Sequence, residues 1–366
     1  MQQTLPAPDR EFFASLHGLR GVAVLYVVVS HLGNASLFLL PISHDAVGKV
    51  GVWIFFVLSA FLLTTHLLSE FEATSSKVFS LLTYIVHRIF RIYPLYILVL
   101  IGHMILGDIS AMEFLKHLLL IQGMGELWAI PVEFQYYFII PIIAIVSLYL
   151  PYKHINLILM VAMVITLFYG IMFPVSVFSN ELNSIPKLTP FLLGSMLALL
   201  IYGKASPKRK VNRRGFALLI GLACLAGLLV TTILYRCLSK DCLSNSFAPW
   251  LSIAISISVM GLIYSVLRPN AIGTLLEVVP LVFLGEISFS VYLLHMFVIR
   301  FVAQKNYGLP AVAEAWLSLG LCVLCASVSY WAIERPGIRA GKFLSRKITN
   351  NWIPTAGRST ASSDNI

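Results

Sequence analysis

Long apolar stretches alternate with short polar segments along most of this chain. A helix needs roughly 17–25 mainly apolar residues to cross a bilayer, and ten stretches of about that length are present. The predicted spans cover residues 14–33, 47–68, 92–107, 132–150, 155–173, 188–203, 215–236, 250–267, 280–303 and 310–333. The third is short, and an interfacial segment around Leu81–Arg91 is an alternative start for it. The pattern predicts an all-α, polytopic transmembrane helical bundle of about ten spans.

Composition agrees with this class, because 58% of the 366 residues are hydrophobic and only 11% are charged. We expect a single membrane domain over residues 1–349. The tail, residues 350–366, is polar and rich in Ser, Thr and Asn, which predicts a disordered cytoplasmic segment. The net charge of +10 is interpreted as a topology and lipid-headgroup signal rather than a nucleic-acid signal.

The distribution of Lys and Arg predicts the orientation, since cytoplasmic segments of membrane proteins carry the excess of these residues. With the N-terminus inside, eighteen of the 26 fall in inside segments, four fall in outside loops and four lie within spans. Both termini are therefore predicted to be cytoplasmic.

Two ionisable residues, Arg20 and His31, lie eleven residues apart in the first span. Eleven residues make about three helical turns, so both side chains share one face, roughly 16 Å apart along the axis. We expect Arg20 near one membrane surface and His31 deep in the hydrocarbon. Burial of such groups costs several kcal/mol unless they are paired or hydrated, so they mark a functional site; packing against polar partners is the alternative.

A second pair of cations, Arg88 and Arg91, lies three residues apart at the inner end of the third span. That helical spacing places two guanidiniums side by side, and Arg binds phosphate in a bidentate manner. The pair is thus a candidate polyphosphate clamp that Arg20 would complete, and anchoring to lipid headgroups is the alternative.

The segment GELWAIPVEFQYYFIIP places Glu133 at the start of the fourth predicted span, after a break at Pro131. A carboxylate there either caps the helix, orients His31 or holds a sugar hydroxyl. Trp128 and Tyr136 beside it are candidates for stacking on a sugar face, although aromatic residues are common at membrane interfaces.

The ninth span contributes Ser288, Tyr292 and His295, whose spacing of four and three residues places them on one helix face. They are candidates for lining the same cavity, with Tyr292 and His295 binding substrate; a structural hydrogen bond is the alternative for His295. We predict no metal site. Cys237 and Cys242 lie in a predicted outside loop, where a disulfide is one of two alternatives.

Five segments together resemble the acyltransferase 3 family of integral membrane acyltransferases. The chain resembles its LRGxA opening with Arg20 and His31, and its RRxxRIxPxY segment with Arg88 and Arg91. The remaining similarities are GVWIFFVLSAFLLT, LWAIPVEFQYYFIIP and LGEISFSVYLLH, and the match runs in order from about residue 12 to 340.

The chain departs from the family pattern at two positions. His17 stands where many members have an acidic residue, so the role of that carboxylate in orienting the arginine or histidine is in doubt here. Ala60 stands where the family has Gly, which we expect to loosen or shift a helix contact. Neither departure affects the proposed base.

The resemblance implies O-acyl transfer, most often of acetyl, from cytoplasmic acyl-CoA to a hydroxyl of a carbohydrate or lipid-linked glycan. Arg20, Arg88 and Arg91 would bind the CoA phosphates, and His31, with Glu133, would carry the catalysis as general base and its support. By analogy the protein lies in a bacterial inner membrane. A secondary transporter, lipid-linked glycan flippase or polymerase is the alternative function, and the oligomeric state is left open.

Overall fold

The computed structural model of this chain is a bundle of helices. It describes residues 10–35, 45–74, 76–123, 125–178, 183–202, 214–239, 244–305 and 307–352. The helices are α1 (Arg10–Asn34), α2 (Asp45–Ala73), α3 (Lys77–Ile105), α4 (Ala111–Leu118), α5 (Ala129–Val146), α6 (Tyr152–Met172), α7 (Pro174–Phe178), α8 (Thr189–Tyr202), α9 (Arg214–Ser239), α10 (Ala248–Val266), α11 (Ala271–Leu276), α12 (Val279–Glu286), α13 (Ser288–Lys305), α14 (Ala311–Ser329) and α15 (Arg335–Trp352). These described ranges contain no β-strand.

The helices confirm the predicted fold class. Within the described ranges, eight helices are long and apolar enough to cross a membrane, and a ninth candidate is the α12–α13 pair, which bends by 79° at its junction. The shorter apolar helix Thr189–Ile201 matches the remaining predicted span. Every predicted apolar stretch therefore corresponds to a helix, while the orientation of the termini stays a prediction.

Two predicted helix starts are wrong. α3 begins at Lys77, ahead of the predicted start at residue 92 and of the alternative start around Leu81–Arg91, so Arg88 and Arg91 lie inside a continuous span. The fourth span begins at Gly125, because a 3₁₀ turn (Gly125–Trp128) continues directly into α5. Pro131 lies in the first turn of α5, where proline is tolerated because the missing N–H has no intrahelical partner, and it causes no break.

Helix α1 is held very close to the backbone of the α11–α12 region. A Cβ atom added to Gly18 would lie 1.8 Å from the carbonyl oxygen of Leu276, and one added to Gly285 would lie 1.8 Å from the carbonyl oxygen of His17. Only glycine fits at such separations. This contact fixes the position of α1, and with it Arg20, against the helix pair that continues into α13.

Helix α2 forms the centre of the bundle and packs against α1, α5, α8, α9 and α10. Ala60, predicted to loosen a helix contact, is fully buried. Its Cβ lies only 2.9 Å from the place that a Cβ on Gly194 would occupy. The glycine of this crossing therefore lies on α8, and the two helices still approach closely.

Two predictions fall outside the described ranges. Cys242 is not among the described residues, so the Cys237–Cys242 disulfide stays a prediction. Of the tail predicted to be disordered, residues 353–366 also lie outside the described ranges, whereas residues 350–352 form the end of α15.

Substitution of Gly285 by alanine should destabilise the fold, because the new Cβ atom would meet the backbone of α1 at His17. Overpacking of this kind costs about 1–3 kcal/mol or more. The measurement is the thermal unfolding midpoint in detergent. Gly320→Ala is the matched control, since no atom lies within 4 Å of its added Cβ; equal midpoints for both variants would contradict the close contact.

Candidate active site

A cavity of about 1530 Å³ opens between α1, α2, α3, α5, α8, α10 and α13. Its wall is apolar over most of its area and also carries polar and charged side chains. Those that matter for the chemistry are His17, Arg20, Arg88, Arg91, Glu133, Tyr137, Ser288 and Tyr292. Residues from separate parts of the sequence thus meet in one space.

The three predicted arginines line this cavity together. Arg20 donates from Nη2 to Ser288 Oγ at 3.1 Å and lies over the Phe55 ring at 5.8 Å. Arg88 lies over the Tyr84 ring at 6.0 Å, and the Nε atoms of Arg20 and Arg88 are buried without a hydrogen-bond partner. No carboxylate of the described residues lies within 4 Å of these guanidiniums. The site therefore has surplus positive charge and free donors.

Two acidic residues compensate this charge from a distance. Glu133 accepts a hydrogen bond from the Tyr137 phenol at 2.7 Å, and buried Glu334 accepts one from Ser290 at 2.8 Å. Both attract the charge of Arg20 electrostatically. The sequence interpretation missed Glu334, although a Glu-Arg pair closing an apolar run was a visible signal. It lies in a π-helical turn (Tyr330–Glu334), a geometry often found at functional sites.

Glu133, predicted to orient His31 or hold a sugar hydroxyl, lines the arginine cavity, whereas His31 does not. The fourth span begins earlier than expected, which moves Glu133 inward along α5 and among the arginines. The geometry favours a role in arginine electrostatics over one in orienting the histidine.

His31 lies in the last turn of α1 rather than deep in the span, half-buried, and its ring centroid is 4.9 Å from that of buried His295. His31 Nδ1 is 2.8 Å from the carbonyl oxygen of Val27, and His295 Nδ1 is 2.6 Å from that of Tyr292. Because a carbonyl only accepts, each Nδ1 carries the proton, and each neutral ring has its lone pair on Nε2. His31 has the tautomer that a general base needs.

The cavity stops one side chain short of this histidine pair. Neither His31 nor His295 lines it, whereas Tyr292 does, with its ring centroid 5.9 Å from that of His295. The Tyr292 phenol donates to the carbonyl oxygen of Glu126. Tyr292 thus lines the arginine cavity and also contacts the histidine pair.

The predicted sugar-stacking residues are packed inside the bundle. Trp128 is 4% exposed, meets the Phe56 ring edge-on at 5.9 Å and lies under the ammonium of Lys187. The Tyr136 phenol bonds to Ser195 Oγ at 2.8 Å and to the Phe191 carbonyl at 3.1 Å. Neither residue lines the cavity, and their geometry favours packing over substrate contact.

Comparison with known proteins identifies the class to which this arrangement belongs. A family model described as an acyltransferase domain, that of acyltransferase 3, matches residues 13–334. The chain belongs to the acyltransferase 3 family. The match covers every residue of the arginine cavity named above and both histidines.

The curated relatives are similar over nearly the whole of this chain. O-acetyltransferase OatA of Staphylococcus aureus strain NCTC 8325 / PS 47 is 24% identical over 375 residues, covering 92% of this chain. The protein named "Putative O-acetyltransferase SACOL0978" of S. aureus strain COL is 26% identical over 387 residues, covering 94%. The chain spans 59% of the length of each of these relatives. No solved structure matches the chain.

The hydrogen bond to Val27 predicts the tautomer of His31. In protein labelled with ¹⁵N-histidine, at a pH where the ring is neutral, the signals that disappear in His31→Gln should show a protonated Nδ1 and a bare Nε2. His66→Gln, which changes a half-exposed histidine, serves as the assignment control. A proton on Nε2 of His31 would contradict the assigned base.

Proposed function

We propose that the protein transfers an acyl group, acetyl in the first instance, from cytoplasmic acyl-CoA to a hydroxyl of a carbohydrate or cell-surface glycan precursor. The observation that carries this proposal is a cavity lined by three arginines that form no ion pair with a described carboxylate, and lined also by Tyr292, which contacts the histidine pair. The names of the relatives, both O-acetyltransferases, support the acetyl group and the oxygen acceptor.

The arginines suit the phosphates of a CoA nucleotide. Arg is the side chain best matched to phosphate, since its planar fork makes paired charge-assisted hydrogen bonds. A phosphate-bearing ligand would satisfy the free Nε donors of Arg20 and Arg88. The cavity volume of about 1530 Å³ exceeds the roughly 300–1,000 Å³ of a drug-sized site, as an extended ligand requires.

The acyl arm of CoA would follow α1 from the arginines towards His31. Eleven helical residues correspond to roughly 16 Å, which an extended pantetheine arm can span. The phosphates and the thioester would thus be held at opposite ends of one helix face, with Tyr292 between them. The transfer therefore requires the Tyr292 phenol to leave the Glu126 carbonyl and open the passage.

In the reaction, Nε2 of His31 takes the proton of the acceptor hydroxyl as that oxygen attacks the thioester carbonyl carbon. The tetrahedral intermediate then collapses, its C–S bond breaks, and the proton on Nε2 passes to the leaving thiolate. The products are an ester and CoA with a free thiol. His295 has its lone pair on Nε2 and, when neutral, cannot donate to the oxyanion from that atom.

The source of the donor and the distribution of positive charge also bear on where the enzyme lies. We place it in a bacterial inner membrane with both termini cytoplasmic, because CoA is made in the cytoplasm and the positive charges favour that orientation. Membrane lipids are its surroundings. The family assignment favours acyl transfer over the transporter, flippase and polymerase alternatives.

Removal of the base should abolish transfer without affecting insertion. His31→Ala is expected to lower the rate of ester formation from labelled acetyl-CoA in washed membranes by about 10²–10⁴-fold, the usual contribution of a general base. Protein level and thermal midpoint should stay near wild type, and His154→Ala, which changes an exposed histidine of α6 that does not line the cavity, is the control. Full activity of His31→Ala would contradict the mechanism.

Neutralisation of the phosphate-binding arginines should weaken donor binding specifically. Each lost charge-assisted hydrogen bond costs about 1.5–3 kcal/mol, so Arg88→Gln and Arg91→Gln should each raise the KM for acetyl-CoA by roughly 10–100-fold. Arg339→Gln, on the exposed side of α15, is the matched control. An unchanged KM in the cavity variants would indicate that these arginines only anchor the helix at the membrane surface.

A further inference from the structure

A second polar cluster lies at the opposite end of α3 and α13 from the arginines. His103 Nδ1 is 2.8 Å from Asp108 Oδ2, and Arg300 Nη1 donates to the same oxygen at 2.9 Å. On the other side of the imidazole, His103 Nε2 is 3.7 Å from Glu126 Oε1. The cluster joins α3, the loop after it, the 3₁₀ turn before α5, and α13.

Burial in this cluster changes from its rim to its interior. The side chains of Arg300 and Asp108 are 44% and 31% exposed, whereas those of His103 and Glu126 are only 5% and 7% exposed. His103 Nε2 and Glu126 Oε1 are both buried without a hydrogen-bond partner, and 3.7 Å is too long for a hydrogen bond between them. Two facing polar atoms thus lie unsatisfied beneath an open polar rim.

The rim determines what these two atoms can bind. The hydrogen bond from His103, together with Arg300, lowers the pKa of the Asp108 carboxyl, so Asp108 is ionised and only accepts. His103 Nδ1 therefore carries the proton, and the lone pair of the neutral ring is on Nε2. The Glu126 Oε1 that faces Nε2 is a carboxylate oxygen, so with the imidazole neutral two acceptors face one another and a ligand must bring the donors.

We infer that His103 and Glu126 form the binding subsite for the acceptor, where they accept hydrogen bonds from neighbouring hydroxyls of a carbohydrate. A vicinal diol supplies two donors at a spacing that fits two acceptor atoms 3.7 Å apart. The Phe297 ring, 4.4 Å from His103, adds an apolar surface for the C–H face of a sugar. The Arg300 guanidinium at the rim disfavours a cationic ligand.

The subsite is connected to the histidine pair through Tyr292. The Tyr292 phenol donates to the backbone carbonyl of Glu126, its own carbonyl accepts from His295 Nδ1, and His295 contacts His31. Tyr292 therefore contacts the donor cavity on one side and the acceptor subsite on the other. This inference rests on the proposed acyl transfer and adds the place where the hydroxyl-bearing substrate enters.

The test separates acceptor use from donor binding. Washed membranes containing wild type, Glu126→Gln or Asp108→Asn receive labelled acetyl-CoA, and two quantities are measured: the dissociation constant of acetyl-CoA and the alkali-labile label in the membrane's own glycans. Glu113→Gln is the matched control, because Glu113 is a nearby carboxylate that lies in the first turn of α4 and forms its capping box with Ser110.

Loss of one hydrogen bond to a charged group corresponds to about 10-fold or more. We therefore expect Glu126→Gln to form at least about 10-fold less ester, with acetyl-CoA binding within about twofold of wild type. Asp108→Asn should show a smaller loss, since it acts through the orientation of His103.

Two outcomes would overturn the inference. Wild-type ester formation in Glu126→Gln would show that no acceptor binds there, and a parallel loss of acetyl-CoA binding would indicate a structural role only. If wild type itself neither binds acetyl-CoA nor forms ester, the proposed function fails, and this inference fails with it; a functional wild type with unaffected variants refutes the subsite alone.

Discussion

The close contact between α1 and the α12–α13 pair is the constraint on which the site depends. Glycines at the crossing allow the backbones to touch, and two side-chain contacts then form along the same pair of helices. Arg20 meets Ser288 at one level, and His31 meets His295 at another. A shift of α1 by one turn would break both contacts, so this packing determines which groups Arg20 and His31 face.

The positive charge of the cavity is only partly compensated by nearby carboxylates. Isolated buried guanidiniums are costly in an apolar bundle, and Glu133 and Glu334 offset that cost without pairing directly with Arg20, Arg88 or Arg91. A fully paired cluster would have no capacity for a polyanion. Partial compensation holds the arginines in place and leaves their donors available.

Much of this could be predicted from the sequence, because the signals were local. Apolar stretches predicted the helices, and helical spacing predicted that Ser288 and Tyr292 share one wall. Helix starts were wrong at α3 and α5, since amphipathic and 3₁₀ turns extend these helices beyond their apolar runs. Glu334 and the His103–Glu126 pair were missed because their partners are distant in sequence, and only tertiary packing brings such groups together.

Tyr292 contacts both polar regions of the bundle, the arginine cavity and the cluster that contains Glu126. Tyr292 closes the arginine cavity, bonds to the backbone of Glu126 and lies beside His295. In the proposed reaction a donor from one side and an acceptor from the other must converge there. The tyrosine is therefore the point at which the closed arrangement of this structure must change for chemistry to occur.

The central claim is that a thioester donor extends from the arginines to His31. A cryo-EM structure with a non-transferable thioether analogue of acetyl-CoA tests it most directly. The account predicts phosphate density against Arg20, Arg88 and Arg91, with the analogue's carbonyl past Tyr292 and beside Nε2 of His31. Phosphates bound elsewhere, or a carbonyl that remains on the arginine side of Tyr292, would contradict it.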